Sequence, residues 1–401
     1  MSYSKLGSVD FGADNWCLKL QPLYNCGLLV ALSNGTIQTI DWTKNVSIGQ
    51  VQAHETCIND LKVVNSDWDN GCLIATAAED SVKIFDIRSN DSVATIKNQK
   101  SAPFLSLDSR HGLLACGTEL SGVDAELHLY DIRSWQQPVR SLVDSHHDDI
   151  TTIKLHPSDP NVLLSGSTDG YVNIYDLTQT EEEDALHQVI NFASIHSSGW
   201  LSPNRIYALS HMETFGLFEL NNKLEDSTEP KPMDFGDIRA PWDCNYVVDV
   251  YPGFIATGKT EEGKGELKLI PFHNEEIYLE KAVTIPHAHG DEVIRDVLAS
   301  ALSQEVLYSC GEDGCVNAWK SNLGSMNLPR EFWQYSQTMD LFGGDAPHVE
   351  MSDVFVPPEE FTEPSVTNSE PLKTRKKSSK VSKSSKGSSK STSKDRRFQP
   401  Y

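Results

Sequence analysis

Short apolar runs alternate with polar, glycine-containing turns along most of this chain. The stretch Leu163 to Asp176 shows the pattern best: Leu-Leu-Ser-Gly-Ser-Thr-Asp-Gly-Tyr-Val-Asn-Ile-Tyr-Asp. It predicts a short apolar strand, a Thr168-Asp169-Gly170 turn and a second, alternating strand. A period of two puts Val172 and Ile174 on one face of that strand, and Tyr171, Asn173 and Tyr175 on the other.

The pattern recurs at a near-constant interval. The residues that close the alternating strands are Asp41, Asp86, Asp131, Asp176, Glu219, Pro271 and Lys320, spaced 45, 45, 45, 43, 52 and 49 apart. Strand, Gly/Asp turn and strand at one fixed spacing mark a repeat architecture, with units of about 40–45 residues.

This spacing resembles that of WD40-repeat proteins over about residues 1–340. The implied fold is all-β: a seven-bladed WD40 β-propeller, four strands to a blade. The seven divergent units and the Asp-Ile-Arg endings are most similar to the WD repeat-containing protein 89 family. The resemblance implies a hydrogen-bonded set inside each well-formed blade, linking a histidine before the first strand to an acid in the inner turn. The sets implied are His289, Ser309, Asp313 and Trp319 in unit seven, and His147, Ser165, Asp169 and Tyr175 in unit four. Unit two offers His54, Thr76 and Phe85, with Glu79 or Asp80 in the turn, and Phe85 leaves that set one donor short. These residues look hydrolytic in isolation; the repeat context makes them bracing.

Other units depart from the pattern. Unit one has an Asn34-Gly35 turn, a hairpin signal in which both residues tolerate positive φ. Unit three has a longer turn from Gly117 to Glu126. Unit five has lost its turn glycine, and unit six carries a charged loop from Gly258 to Gly265. Units five and six therefore define a divergent side and a candidate binding region. WD40 propellers often close with an N-terminal strand, and Lys5 to Asp10 suits that role, sealing an otherwise open edge.

Composition changes the picture at the C-terminus. Residues 341–370 read as an acidic, proline-containing linker, and residues 371–401 as a disordered Lys/Ser-rich tail. The tail holds eleven of the 34 Lys and Arg and one of the 57 Asp and Glu, a net +10; residues 1–370 carry −33. Lys373, Arg375, Lys376 and Lys377 fit a nuclear-import signal read by an importin. Phe398, Pro400 and Tyr401 end the tail as a short docking element. The chain is expected in the nucleus, with shuttling to the cytoplasm. No run of about 18 apolar residues suggests a membrane span, and scattered cysteines within strand-like runs suggest reduced, buried thiols.

No Gly-x-Ser-x-Gly or His-Glu-x-x-His stretch is present, and the chain reads as a non-enzyme with no cofactor and no metal. An acidic body favours basic protein partners and disfavours nucleic acid on the propeller. The expectation is a monomeric interaction scaffold, a chaperone or adaptor for a basic client such as a histone or ribosomal protein. The alternative rests on Asp86-Ile87-Arg88 and Asp131-Ile132-Arg133. Such paired Asp-x-Arg endings resemble the docking boxes of substrate receptors of cullin-4-type ubiquitin ligases.

Overall fold

The computed structural model describes residues 3–23, 27–41, 43–64, 73–89, 91–221, 232–251, 253–260, 262–263, 265–273, 275–299 and 305–322. The linker, the tail, the import cluster Lys373, Arg375, Lys376 and Lys377, and the end residues Phe398, Pro400 and Tyr401 lie outside them.

The described chain forms seven antiparallel sheets. Each is a blade whose consecutive strands pair in order, as the repeat spacing requires. In blade four, Val162–Ser167 pairs with Tyr171–Asp176 across the Thr168-Asp169-Gly170 turn. Gly170 has a φ of 94°, a conformation glycine adopts without steric cost. In the Asn34-Gly35 turn of blade one only Gly35 takes positive φ, at 80°. Asn34 instead uses its Oδ1 to accept from the Thr36 N–H at 3.0 Å and the Thr36 hydroxyl at 2.7 Å. The turn is therefore an Asx cap rather than a paired positive-φ turn.

Closure is made by the N-terminus. Tyr3–Asp10 pairs with Cys315–Ser321, from Tyr3 opposite Ser321 to Asp10 opposite Cys315. Lys5 lies over the Trp319 ring and Ser8 donates to Asn317 Oδ1 at 2.6 Å. The first strand thus belongs to the last blade, and the ring is fastened by residues more than 300 apart in sequence.

The core is a circle of seams. Apolar clusters lie between consecutive blades, including blades seven and one. The seam of blades three and four packs Leu127, Leu129 and Leu142 against Ile153, Leu155 and Tyr175. The seam of blades five and six is the most aromatic, with Phe215 against Trp242 and Phe272. Fully burying one such side chain is worth about 1.5–3 kcal/mol, so these seams hold the ring together.

Candidate functional site

Each blade runs antiparallel, so its connections emerge at two opposite ends. We call the end with the inner turns and the loops between blades the upper face. Three blades carry a complete brace there. In blade two His54 Nδ1 lies 3.0 Å from Asp80 Oδ1, and Nε2 lies 2.8 Å from Thr76 Oγ1. In blade seven His289 makes the same contacts with Asp313 and Ser309 at 2.8 and 2.7 Å, and Trp319 Nε1 donates to Ser309 Oγ at 2.9 Å. Phe85 is buried and makes no such bond. Of Glu79 and Asp80, the brace uses Asp80.

Blade four corrects the sequence expectation by one residue. His146, not His147, joins Asp169 and Ser165, at 2.8 and 2.7 Å. His147 is exposed and pairs with Asp124 of blade three at 2.8 Å. His146 is the last residue of the outer strand of blade three, and its side chain turns inward; the next residue must turn the other way. A sequence signal existed: His54 stands four residues before Ile58, and His146 stands four before Ile150. Tyr175 sits at the Trp319 position, its hydroxyl 3.4 Å from Ser165 Oγ.

Burial pushes His54 toward its neutral form. For Asp169 and Asp313, burial opposes ionisation, but the histidine's hydrogen bond and charge together with backbone N–H bonds outweigh it, holding both carboxyls below their usual range. Each brace is thus a histidine locked between a carboxylate and a hydroxyl. Both of its ring nitrogens are engaged, which is a structural rather than a catalytic arrangement.

The sequence reading missed two further systems. Asn173 and Asn317 donate to Ser145 O and Ala288 O at 2.9 and 2.7 Å, while Lys83 and Lys268 reach Ala53 O and Trp242 O at 2.8 and 3.0 Å. All four lie three residues before the residue that closes the repeat (Asp176, Lys320, Asp86 and Pro271), and each ties the third strand to the segment arriving from the previous blade. Second, the innermost strand of every blade has a β-bulge near its start, which re-aims the next side chain. There Asp60, Asp108 and Asp296 accept the Leu107, Leu155 and Leu20 N–H of the following blade at 2.8, 2.7 and 2.8 Å. Lys62 pairs with Asp108 at 3.6 Å. Burial works against the Lys19 charge, but Asp60, Asp296 and Asp249 around it leave its affinity for a proton raised.

The Asp-x-Arg endings are local staples. Arg88 Nε and Nη2 donate to Asp86 Oδ1 and Oδ2 at 2.9 and 2.6 Å, and Arg133 repeats this on Asp131. Asp237 and Arg239 form a third such pair. The arginine hydrogen bonds push Asp86, Asp131 and Asp237 down to about 2. Both arginine side chains stay exposed while paired.

One further motif has the wrong surroundings. Gly253-Phe-Ile-Ala-Thr-Gly258-Lys259-Thr260 has the spacing of a phosphate-binding loop. Here Phe254–Lys259 is an extended strand paired on both sides, not a loop opening a helix. Its backbone cannot wrap a phosphate, and Lys259 Nζ lies 2.9 Å from Asp243 Oδ1.

The upper face is acidic. Asp14, Glu55, Glu79, Asp80, Glu119, Asp124, Asp148, Asp149, Asp291 and Glu292 lie in its turns and loops. Three of the cations near them are already paired: Lys100 with Glu126 at 2.9 Å, Arg239 with Asp237 at 2.6 Å, and Arg295 with Glu312.

Seven antiparallel blades, three of them braced by His, acid and hydroxyl, define a WD40 β-propeller, and residues 136–176 match the WD domain, G-beta repeat family. The chain belongs to the WD repeat-containing proteins. It is 56% identical to a WD repeat-containing protein of Saccharomyces cerevisiae, with all of both chains covered. It is 31% identical to one of Schizosaccharomyces pombe, over 73% of this chain and 92% of that one. It is 28% identical to the WD repeat-containing protein 89 homolog of Dictyostelium discoideum, over 81% of this chain and 89% of that one. Proteins of this family generally act in protein interactions, typically as scaffolds without catalysis. Among the described residues no helix is long and apolar enough to cross a membrane.

Proposed function

We propose that the propeller is a non-catalytic scaffold for a basic protein client, such as a histone or ribosomal protein, acting as its chaperone or adaptor in the nucleus. The observation that carries this reading is the upper face, where acids outnumber cations and three of the cations are already paired. The charge of −33 on residues 1–370 extends that field over the whole body. Such a field steers a basic partner toward the face and repels nucleic acid.

Affinity capture of the tagged full chain tests the reading. Recovery of histones or ribosomal proteins in low salt, lost at moderate salt, is the expected result. Recovery of no basic protein overturns it. The location is tested separately. A fluorescent fusion lacking residues 371–401 should leave the nucleus, and one that stays as nuclear as the full chain removes the import role of Lys373, Arg375, Lys376 and Lys377.

A further inference from the structure

We infer that the upper rim of blades two to four holds a defined docking site for a segment in which basic side chains flank an apolar one. It rests on the basic-client reading above and gives that client a place and a shape.

Two features adjoin there. The first is a pocket of about 280 Å³ between blades two and three, lined by Thr56, Cys57, Asn59, Glu79, Pro103, Leu105 and Glu119. Its two carboxylates, Glu79 and Glu119, belong to exposed residues of neighbouring inner turns, and neither carboxylate has a partner among the described residues. Thr56 Oγ1 on the same wall is buried and unbonded. Leu105 and Pro103 provide an apolar surface. A pocket with two free carboxylates, a free hydroxyl and an apolar wall suits the stem and head of a lysine or arginine.

The second feature is the long inner turn of blade three, residues 119–124, which shares Glu119 with the pocket. It is braced from outside: Glu119 N–H donates to Pro103 O at 2.8 Å, Leu120 N–H to Asp149 Oδ1 at 2.8 Å, and His147 holds Asp124. On this braced loop Leu120 is 37% and Val123 76% exposed. Apolar side chains displayed on a rigid loop lose little freedom when covered, which favours binding. Asp124, Asp148 and Asp149 surround them, so the apolar spot is ringed by acid. The complementary surface is an apolar side chain flanked by cations. His147 thereby gains a role: it fastens this loop.

The test uses the full chain and three labelled peptides read by fluorescence anisotropy in low salt. The first is Lys-Arg-Ser-Leu-Arg-Ser-Lys; the second has Ser for Leu; the third has Glu for every Lys and Arg. The first should bind tightest and the third not at all. Glu79→Gln with Glu119→Gln should weaken the first about tenfold, as expected for two lost charge-assisted bonds. Val123→Ser should weaken it about threefold and erase its advantage over the second. All three positions are exposed, and unchanged melting temperatures of the variants confirm that the fold is intact. Binding no tighter than that of the third peptide, or unaffected by these variants, overturns the site. If the double variant still captures a basic client in low salt as well as the wild type does, the site falls while the scaffold reading stands. If the wild type captures no basic client, the scaffold reading itself falls.

Discussion

Blades four and five stand side by side and solve the same problem with different chemistry. Blade four locks its upper end with His146, Asp169 and Ser165, the histidine being fully enclosed. In blade five Phe192 takes the histidine position: its N–H bonds the turn glycine of the previous blade, Gly170, as His54 bonds Gly35. Ala208 stands where Ser165 would be, and Phe218 where Tyr175 would be. Phe192 and Phe218 meet edge to face at 5.8 Å. One blade buries a satisfied polar network, and the next packs two partly buried rings together. A half-kept set would leave an unpaired polar group in the core, which costs more than either solution.

The largest way to break this comparison is to open the ring itself, because both solutions assume closure. Deleting residues 1–12 strips the strand paired with Cys315–Ser321 and uncovers Trp319. Thermal unfolding should fall by on the order of 10 °C. An unchanged melting temperature would show that the ring does not depend on that strand.

Next comes the brace. His146→Ala leaves Ser165 and Asp169 without their partner inside the blade and should cost about 2–4 kcal/mol in denaturant unfolding. His147→Ala, at an exposed pair, should cost less than about 0.5 kcal/mol. Equal costs would refute the one-residue reassignment in blade four.

The pH response separates a braced blade, here blade two, from blade five. Burial lowers the affinity of His54 for a proton in the folded state. Its contribution is complete above the unfolded value near 6.5 and is lost as pH falls. Glu213 of blade five does the opposite. It occupies the inner turn with a φ of 57°, where a glycine would relieve strain. Burial pushes its carboxyl up to about 7, against the Val247 N–H it accepts at 2.9 Å and nearby Arg239, while Asp237 adds to the rise. A folded value above the unfolded one, about 4.5, means stability is present at low pH and lost as pH rises through 7. Glu213→Gln should therefore stabilise the protein by roughly 1–2 kcal/mol at pH 8 and by little at pH 5. Equal effects at both pH values would show that the carboxylate is not the strained group.

How much was legible follows from these same residues. The repeat interval showed the blades because every blade closes its third strand at a similar place, and Lys5 to Asp10 could be matched to the open edge of the last blade. The braces in blades two and seven were legible because spacing alone selects one histidine. In blade four two adjacent histidines compete; the four-residue step to Ile150, which matches His54 to Ile58, was there to be read, and the side-chain direction at the strand end confirms His146. The innermost-strand aspartates Asp60, Asp108 and Asp296 were hidden because they bond backbone N–H groups of the next blade, a contact with no sequence signature of its own. The Phe192 and Phe218 pair read as loss of pattern, when it is a replacement of equal function.

The finest difference lies within the braces, at the aromatic residue of the third strand. Trp319 donates to Ser309 at 2.9 Å, Tyr175 reaches Ser165 only at 3.4 Å, and Phe85 offers no polar atom at all. The histidine, the acid and the hydroxyl keep closely similar distances in all three blades, so the aromatic polar atom does not set their geometry. Its ring does: Tyr175 is fully buried in the seam with Ala115, Leu127, Leu129 and Leu142. Tyr175→Phe keeps the ring and removes a hydroxyl at the limit of hydrogen-bonding distance. It should cost less than about 1 kcal/mol, whereas Tyr175→Ala should cost about 3–5 kcal/mol through the cavity it opens. Both are read from denaturant midpoints at constant slope. If Tyr175→Phe alone cost 2 kcal/mol or more, the hydroxyl would be a working member of the brace, and blade two would be a weakened blade rather than an equivalent one.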